Sequence, residues 1–492
     1  MPNAFAYLVL LSFPLLAVVL FRVLPLQRAL IWTLISGHLL LPSSMHIKIP
    51  MVPLIDRSLV PALSALILCA LLAPRRPSVS DRDTRFGRSV FIVLLSMVLL
   101  TPFLTVLQNT EPMINGRLFL PGLRLYDAFS MISTIVATMI PLWLGLRYLN
   151  THEGHRALLE AFVISAVVYT FPALIEIRIS PQLHNWIYGF FPHDFIQHIR
   201  DGGFRPVVLL NHGLMVGIYF CIGVISAGVL YREARREGRP SWKWLVAMLW
   251  LAGVLFLSKS LGALILAVIF GTAVLFFSRR LQIMLAVVVA VIVMFYPMMR
   301  GAGWVPVETV YNFALSISED RAASLRFRLD NEDALLEHAN DKPLAGWGSW
   351  GRNQLYDPAT GRMISTTDGI WIIIIGMFGW IGYIGRFGLL TAPILFYAMR
   401  QRQFGPSLIT PGLMMVLAAN LIDLLPNAGL VNYVWLMAGA VAGYVLWRDP
   451  QDSGALADPA ASGANLRASW LMAEQAAPRL RQKRSELRGT AR

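Results

Sequence analysis

Read as apolar and polar positions, the chain is a series of hydrocarbon runs separated by short polar breaks. The runs approach or reach the roughly twenty residues that a helix needs to cross about 30 Å of hydrocarbon. They predict helices over 4–20, 29–41, 59–72, 89–107, 125–146, 157–175, 209–230, 244–257, 261–277, 281–296, 369–399, 408–425 and 431–447. The fold class this implies is all-α: a polytopic transmembrane bundle of about 12–14 spans. One integral membrane domain over 1–447, with a large loop at about 300–367 before the last three spans, leads into a basic tail over 448–492. The first run lacks a basic lead-in and a small-residue cleavage site, so it reads as a retained span.

Composition sharpens the picture. Hydrophobic residues make up 56% of the chain and charged residues 14%, against about 25% charged in soluble domains. A net charge of +14 would suggest nucleic acid in a soluble protein, but in a membrane protein excess Lys and Arg marks cytoplasmic loops. One set of alternate loops, with the tail, holds 26 of the 42 Lys and Arg; the other holds 15, and Arg386 lies within a span. The tail is therefore expected in the cytoplasm and the 300–367 loop outside. The tail reads either as a segment that touches anionic lipid or as a solvated basic end. Cys69 and Cys221 fall inside apolar runs, which argues against a disulfide or a metal ligand.

Two external loops are too long to be mere connectors. The first, 178–206, carries His184, His193, Asp194 and His198 without any zinc-binding spacing, so neither metal nor cofactor is expected. The second carries Arg321, Arg326, Arg328, Lys342, Arg352 and Arg362. Cations clustered on the outer face suggest an anionic ligand such as phosphate or diphosphate. Salt bridges to Glu308, Glu319, Asp320, Asp330, Glu332, Asp333 and Glu337 are the structural alternative. No ATP is available outside the cell, so chemistry there needs an already activated substrate.

Four stretches carry a family resemblance. "DKPLAGWGSWGRN" (341–353) resembles the Pro-Leu-x-Gly-x-Gly element that ends the large periplasmic loop of the O-antigen ligase and polymerase superfamily. That family continues with His-(Asn/Ser)-x-x-Leu, six residues and Gly-x-x-Gly. Here Asp368-Gly369-Ile370-Trp371-Ile372 is followed at the same spacing by Gly379-Trp380-Ile381-Gly382. "LFLSKSLGALILAVIFG" is similar to the family's Leu-Ser-Arg-Gly-Ala segment, with Lys259 in place of arginine. "FRPVVLLNHGLMVGIYF" resembles the stretch that sets an arginine, here Arg205, before a span; Arg328 matches the arginine before the Pro-Leu element. The resemblance covers roughly 205–400. An aspartate at 368 is more similar to the exopolysaccharide polymerase branch than to the ligases.

The resemblance implies an inverting, metal-independent glycosyl transfer at the periplasmic face of the bacterial inner membrane. A glycan would pass from undecaprenyl diphosphate to a sugar hydroxyl of another lipid-linked unit, in a pathway with a flippase and a chain-length regulator. Arg205, Lys259 and Arg328 are the candidates for holding the diphosphate. Asp368 is the candidate base, and Asp423 is the second carboxylate to consider, with Glu176 third. For Asp368 the plain alternative is a helix N-cap. Gly369 is expected to let the backbone turn, and Gly376, Gly379 and Gly382 to permit close helix packing. Trp347, Trp350 and Trp371 read either as sugar-stacking platforms or as interfacial anchors. A ligase joining glycan to a lipid core or protein stays open, as does a lipid-linked oligosaccharide flippase. The flippase is less favoured, because transporters place polar residues near the midplane whereas the polarity here collects at the outer face.

Overall fold

The computed structural model describes residues 1–49, 52–73, 84–200, 202–317 and 319–447. The tail from Arg448, most of the Arg75–Arg88 cluster and the side chains of Asp320 and Arg321 lie outside the described residues. Among the described residues sixteen helices follow in order: α1 (Ala4–Val23), α2 (Leu26–Leu40), α3 (Leu59–Leu72), α4 (Arg85–Leu107), α5 (Leu125–Tyr148), α6 (His152–Ile179), α7 (Leu183–Tyr188), α8 (Gly213–Arg236), α9 (Trp242–Leu257), α10 (Leu261–Phe276), α11 (Arg279–Gly301), α12 (Val307–Ile317), α13 (Glu319–Asn340), α14 (Ile370–Met399), α15 (Ile409–Asp423) and α16 (Asn432–Leu446). Each of the thirteen expected helices is present. Seven are long and apolar enough to cross a membrane. The only strands among the described residues form three short antiparallel hairpins, one of them pairing Ile199–Arg200 with Gly203–Phe204.

Helix length explains much of the layout. From Gly213 to Leu230 α8 is apolar on every side and almost wholly buried, which makes it the centre of the bundle. α9 and α10 have 16 residues each, about 24 Å at 1.5 Å per residue. Their turn at Ser258–Ser260 meets the loop face, where the Lys259 ammonium donates to the Arg200 carbonyl. α14 has 30 residues, about 45 Å, too long for one straight span. It breaks at Gly379.

The connections segregate onto two faces as the charge count assumed. On one face, Thr105 and Asn109 donate to Ala345 and Gly346 carbonyls, and Arg352 donates to those of Pro121 and Glu111. Asn3 bonds the Tyr188 carbonyl there, so the N-terminus shares this face. On the other, Gln27 bonds Tyr148, Arg156 pairs with Glu237, and Arg279 bonds Gln401.

Candidate active site at the loop face

The break in α14 explains why the two glycine motifs occur together. Gly379 has φ 60° and ψ −168°, a conformation essentially confined to glycine. It frees the Trp380 and Ile381 N–H groups, which donate to the carbonyls of Pro343 (2.8 Å) and Leu344 (3.2 Å). In return, the Trp347 and Gly348 N–H groups donate to Gly376 and Met377. The backbones nearly touch: a Cβ on Gly379 would lie 2.4 Å from the Leu344 carbonyl carbon, and one on Gly346 2.6 Å from the Gly379 nitrogen. The expectation that Gly379 serves helix packing is thus corrected: it opens the helix so that the loop can dock into it.

That docking fixes the start of α14. The Ile370 N–H reaches the Leu424 and Asn427 carbonyls, so the α15–α16 connection closes on the same junction. Gly369 is extended at φ −76°, and glycine is needed there for space rather than for a turn. It is also the N-cap residue, and α14 has no side-chain cap bond, so Asp368 does not cap the helix. Its carboxylate instead pairs with Arg328 Nε at 3.2 Å. Both side chains are about one-third exposed, where an ion pair is worth only about 0–1 kcal/mol. The fold therefore gains little from the pair, and both groups stay accessible to a ligand.

Asp423 ends α15 and accepts from Asn427 Nδ2 at 2.9 Å. Glu176 is fully buried and accepts the N–H groups of Leu183, Val207 and Val208, so it serves as a loop clamp and not as a base.

Arg205 and Lys259 come together although they are 54 residues apart: Arg205 Nη2 donates to the Lys259 carbonyl at 3.2 Å. Lys259 sits at φ 55° on the α9–α10 turn, and its ammonium donates to the Arg200 carbonyl at 2.9 Å. His212 feels the charges of both Arg205 and Arg328. Its pKa is pushed down to about 2, first by burial, then by neighbouring imidazoles and the charges of Arg205 and Arg328. Arg205 and Lys259 are thus joined by contact, and the charges of Arg205 and Arg328 both act on His212.

His193, His198 and His212 cluster in edge-on and tilted contacts, with ring centroids 4.6–6.1 Å apart. Both His198 nitrogens are spent on backbone: Nδ1–H donates to Asp194 O, and Nε2 accepts from Gly213 N–H. Among the described residues no group of His, Cys, Asp or Glu is arranged to hold a metal. His184 lies elsewhere, between Ser43 and the Phe190 carbonyl.

Four further loop cations have structural partners. Arg326 pairs with Glu308 and Asp330 on the surface. Lys342 and Arg352 tie the loop to the α4–α5 connection, and Arg300 pairs with Asp333. Trp371 is fully buried against Tyr296 and can be neither a sugar platform nor an anchor. Trp347 stacks on His338, while Trp350 is exposed.

One residue escaped the sequence reading as a candidate. Glu332 on α13 is 5% exposed, and its pKa is pushed up to about 7 by burial, with Arg300 opposing and the fields of Asp333 and Asp368 adding to the rise. The missing signal was burial, which a loop helix with no apolar periodicity does not announce.

Residues 246–387 match the family model described as O-antigen ligase. The matched stretch is similar to the O-antigen ligase family. This similarity supports the ligase/polymerase superfamily and a glycan-transfer function of that kind at a membrane. The matched stretch runs from α9 past the break in α14, so it contains Lys259, Arg328, Glu332 and Asp368 but neither Arg205 nor Asp423. No curated protein matches the chain.

Proposed function

We propose that the protein is a polysaccharide polymerase of the O-antigen or exopolysaccharide kind. It moves a glycan from undecaprenyl diphosphate onto a sugar hydroxyl of a second lipid-linked unit. The observation that carries this reading is the Arg328–Asp368 pair, accessible at the junction of loop, α14 and the α15–α16 connection. The departing diphosphate takes up the electron pair of the breaking anomeric C–O bond. Arg328, with Arg205 and Lys259, supplies fixed positive charge for it, an effect that is large where water is partly excluded. As Arg328 turns to the diphosphate, the Asp368 carboxylate is left to take the proton of the attacking hydroxyl while the new C–O bond forms. Aspartate at 368 in place of the ligases' histidine favours polymerase over ligase.

In this reading residues 1–447 are one integral domain in the bacterial inner membrane, the loop face is periplasmic and the tail is cytoplasmic, in agreement with the 26-to-15 division of basic residues. Asp368→Asn keeps the side chain's size and removes its proton affinity. It should abolish polymer while the protein persists in the membrane, and Asp423→Asn should leave polymer in place. The reverse outcome would assign the base to Asp423.

A further inference from the structure

A cavity of about 540 Å³ lies between α5, the loop after His46, the α15–α16 connection and the face of α14 that carries Ile370, Ile374 and Met377. None of Arg205, Lys259, Arg328 or Asp368 lines it. Its one cation at depth is Arg386, the basic residue inside a span. Arg386 is half-buried, and its guanidinium carbon lies 4.3 Å from the centre of the Phe378 ring, eight residues earlier in the chain. The side chain therefore runs back toward the loop face, as long basic side chains do near a membrane boundary. Among the described residues no carboxylate or carbonyl meets this guanidinium, whose contact is the Phe378 face. A charge held at such depth is costly, and where it occurs it marks the path of a polar or charged ligand.

The walls are built for an amphiphile. Ser130, Thr134 and Thr138 line the cavity on successive turns of α5. The hydroxyl protons of Thr134 and Thr138 are spent on the Ser130 and Ile135 carbonyls, so they leave the guanidinium as the donor at depth. His46 and Lys48 stand at the loop end, with Trp350 beside them. Met139 lines this cavity and also a second one of about 340 Å³, whose walls include Leu66, Phe91, Ile140 and Trp143 and hold no charged residue. A charged chamber thus borders an apolar slot.

We propose that this cavity seats a second polyprenyl-diphosphate lipid, with its head at Arg386 and Lys48 and its isoprenoid running past Met139 into the apolar slot. The proposal rests on the polymerase reading: joining two lipid-borne units requires two phosphate seats within reach of one base. Ile370 lines the cavity two residues after Asp368, so a glycan rising from this lipid would pass the junction where Asp368 stands.

Equilibrium binding of radiolabelled undecaprenyl diphosphate to the purified full chain in phosphatidylcholine nanodiscs tests it. The wild type should hold two equivalents per chain, and Arg386→Gln should hold one. Arg386→Lys should keep two, which separates loss of charge from loss of fold. Thr134→Trp, which fills the cavity and leaves Arg386 in place, should also hold one. Arg328→Ala should lose the other equivalent. Two equivalents in both Arg386→Gln and Thr134→Trp would overturn the proposal and leave the polymerase reading standing. Displacement of one equivalent by excess phosphatidylglycerol would overturn the commitment to a polyprenyl diphosphate. A wild type that binds none would defeat the polymerase reading itself.

Discussion

If the break in α14 exists to receive the loop, Gly379→Ala should undock the loop without dissolving the bundle. Alanine at φ 60° and ψ −168° costs about 1–3 kcal/mol in backbone strain. Its Cβ would stand 2.4 Å from the Leu344 carbonyl carbon and 2.5 Å from the Ala345 nitrogen, both backbone atoms that no rotamer change can move. Relief requires the loop to retreat by roughly an ångström, which breaks the Trp380–Pro343 and Ile381–Leu344 bonds at about 1 kcal/mol each. The total, about 3–5 kcal/mol, weakens docking by two to three orders of magnitude or more. Hydrogen–deuterium exchange on the purified full chain should show 341–369 losing protection while α8 keeps its own, and polymer formation should collapse. Gly253→Ala, where a Cβ meets nothing within 4 Å, should change neither. Normal loop protection and normal polymer in Gly379→Ala would refute the reasoning.

Other consequences follow from single groups. Folding raises the Glu332 carboxyl from 4.5 to about 7, so its contribution is complete below about 4.5 and lost as pH rises through about 7, roughly 3 kcal/mol in all. Glu332→Gln should therefore match the wild type's Tm at pH 4 and exceed it at pH 8; parallel Tm–pH curves would contradict the assignment. Arg328→Ala should abolish polymer, whereas Arg326→Ala, which breaks exposed contacts with Glu308, Asp330 and the Tyr311 ring, should leave polymer length on a gel unchanged. For sidedness, a Thr360→Cys variant should react with an impermeant maleimide in intact cells and a Ser462→Cys variant should not. Cys69 and Cys221 are buried and should add no background; labelling of Ser462→Cys alone would invert the topology.

The bundle was legible because apolar run length has one strong meaning in a bilayer, and each expected helix lies within a few residues of its place. Loop segregation was legible too, since alternate basic loops must share a face. The break at Gly379 was not: glycines three apart in an apolar run read equally as a packing stripe, and only the loop's position distinguishes the two. Arg205 and Lys259 were paired through resemblance, not spacing, because a 54-residue separation carries no geometric signal. Trp371 and Glu176 misled in the same way. Each sits at the expected outer boundary, and each is buried by a loop whose path the sequence does not show.

The central claim is that two lipid-borne glycans are joined at Asp368. It is tested most directly by giving the purified full chain a single lipid-linked repeat unit and following undecaprenyl diphosphate release alongside glycan length. The account predicts a ladder of lipid-linked products with one diphosphate released per linkage, both absent in Asp368→Asn. Diphosphate release that appears only when a lipid core or protein acceptor is added, with no ladder, would contradict it and identify a ligase.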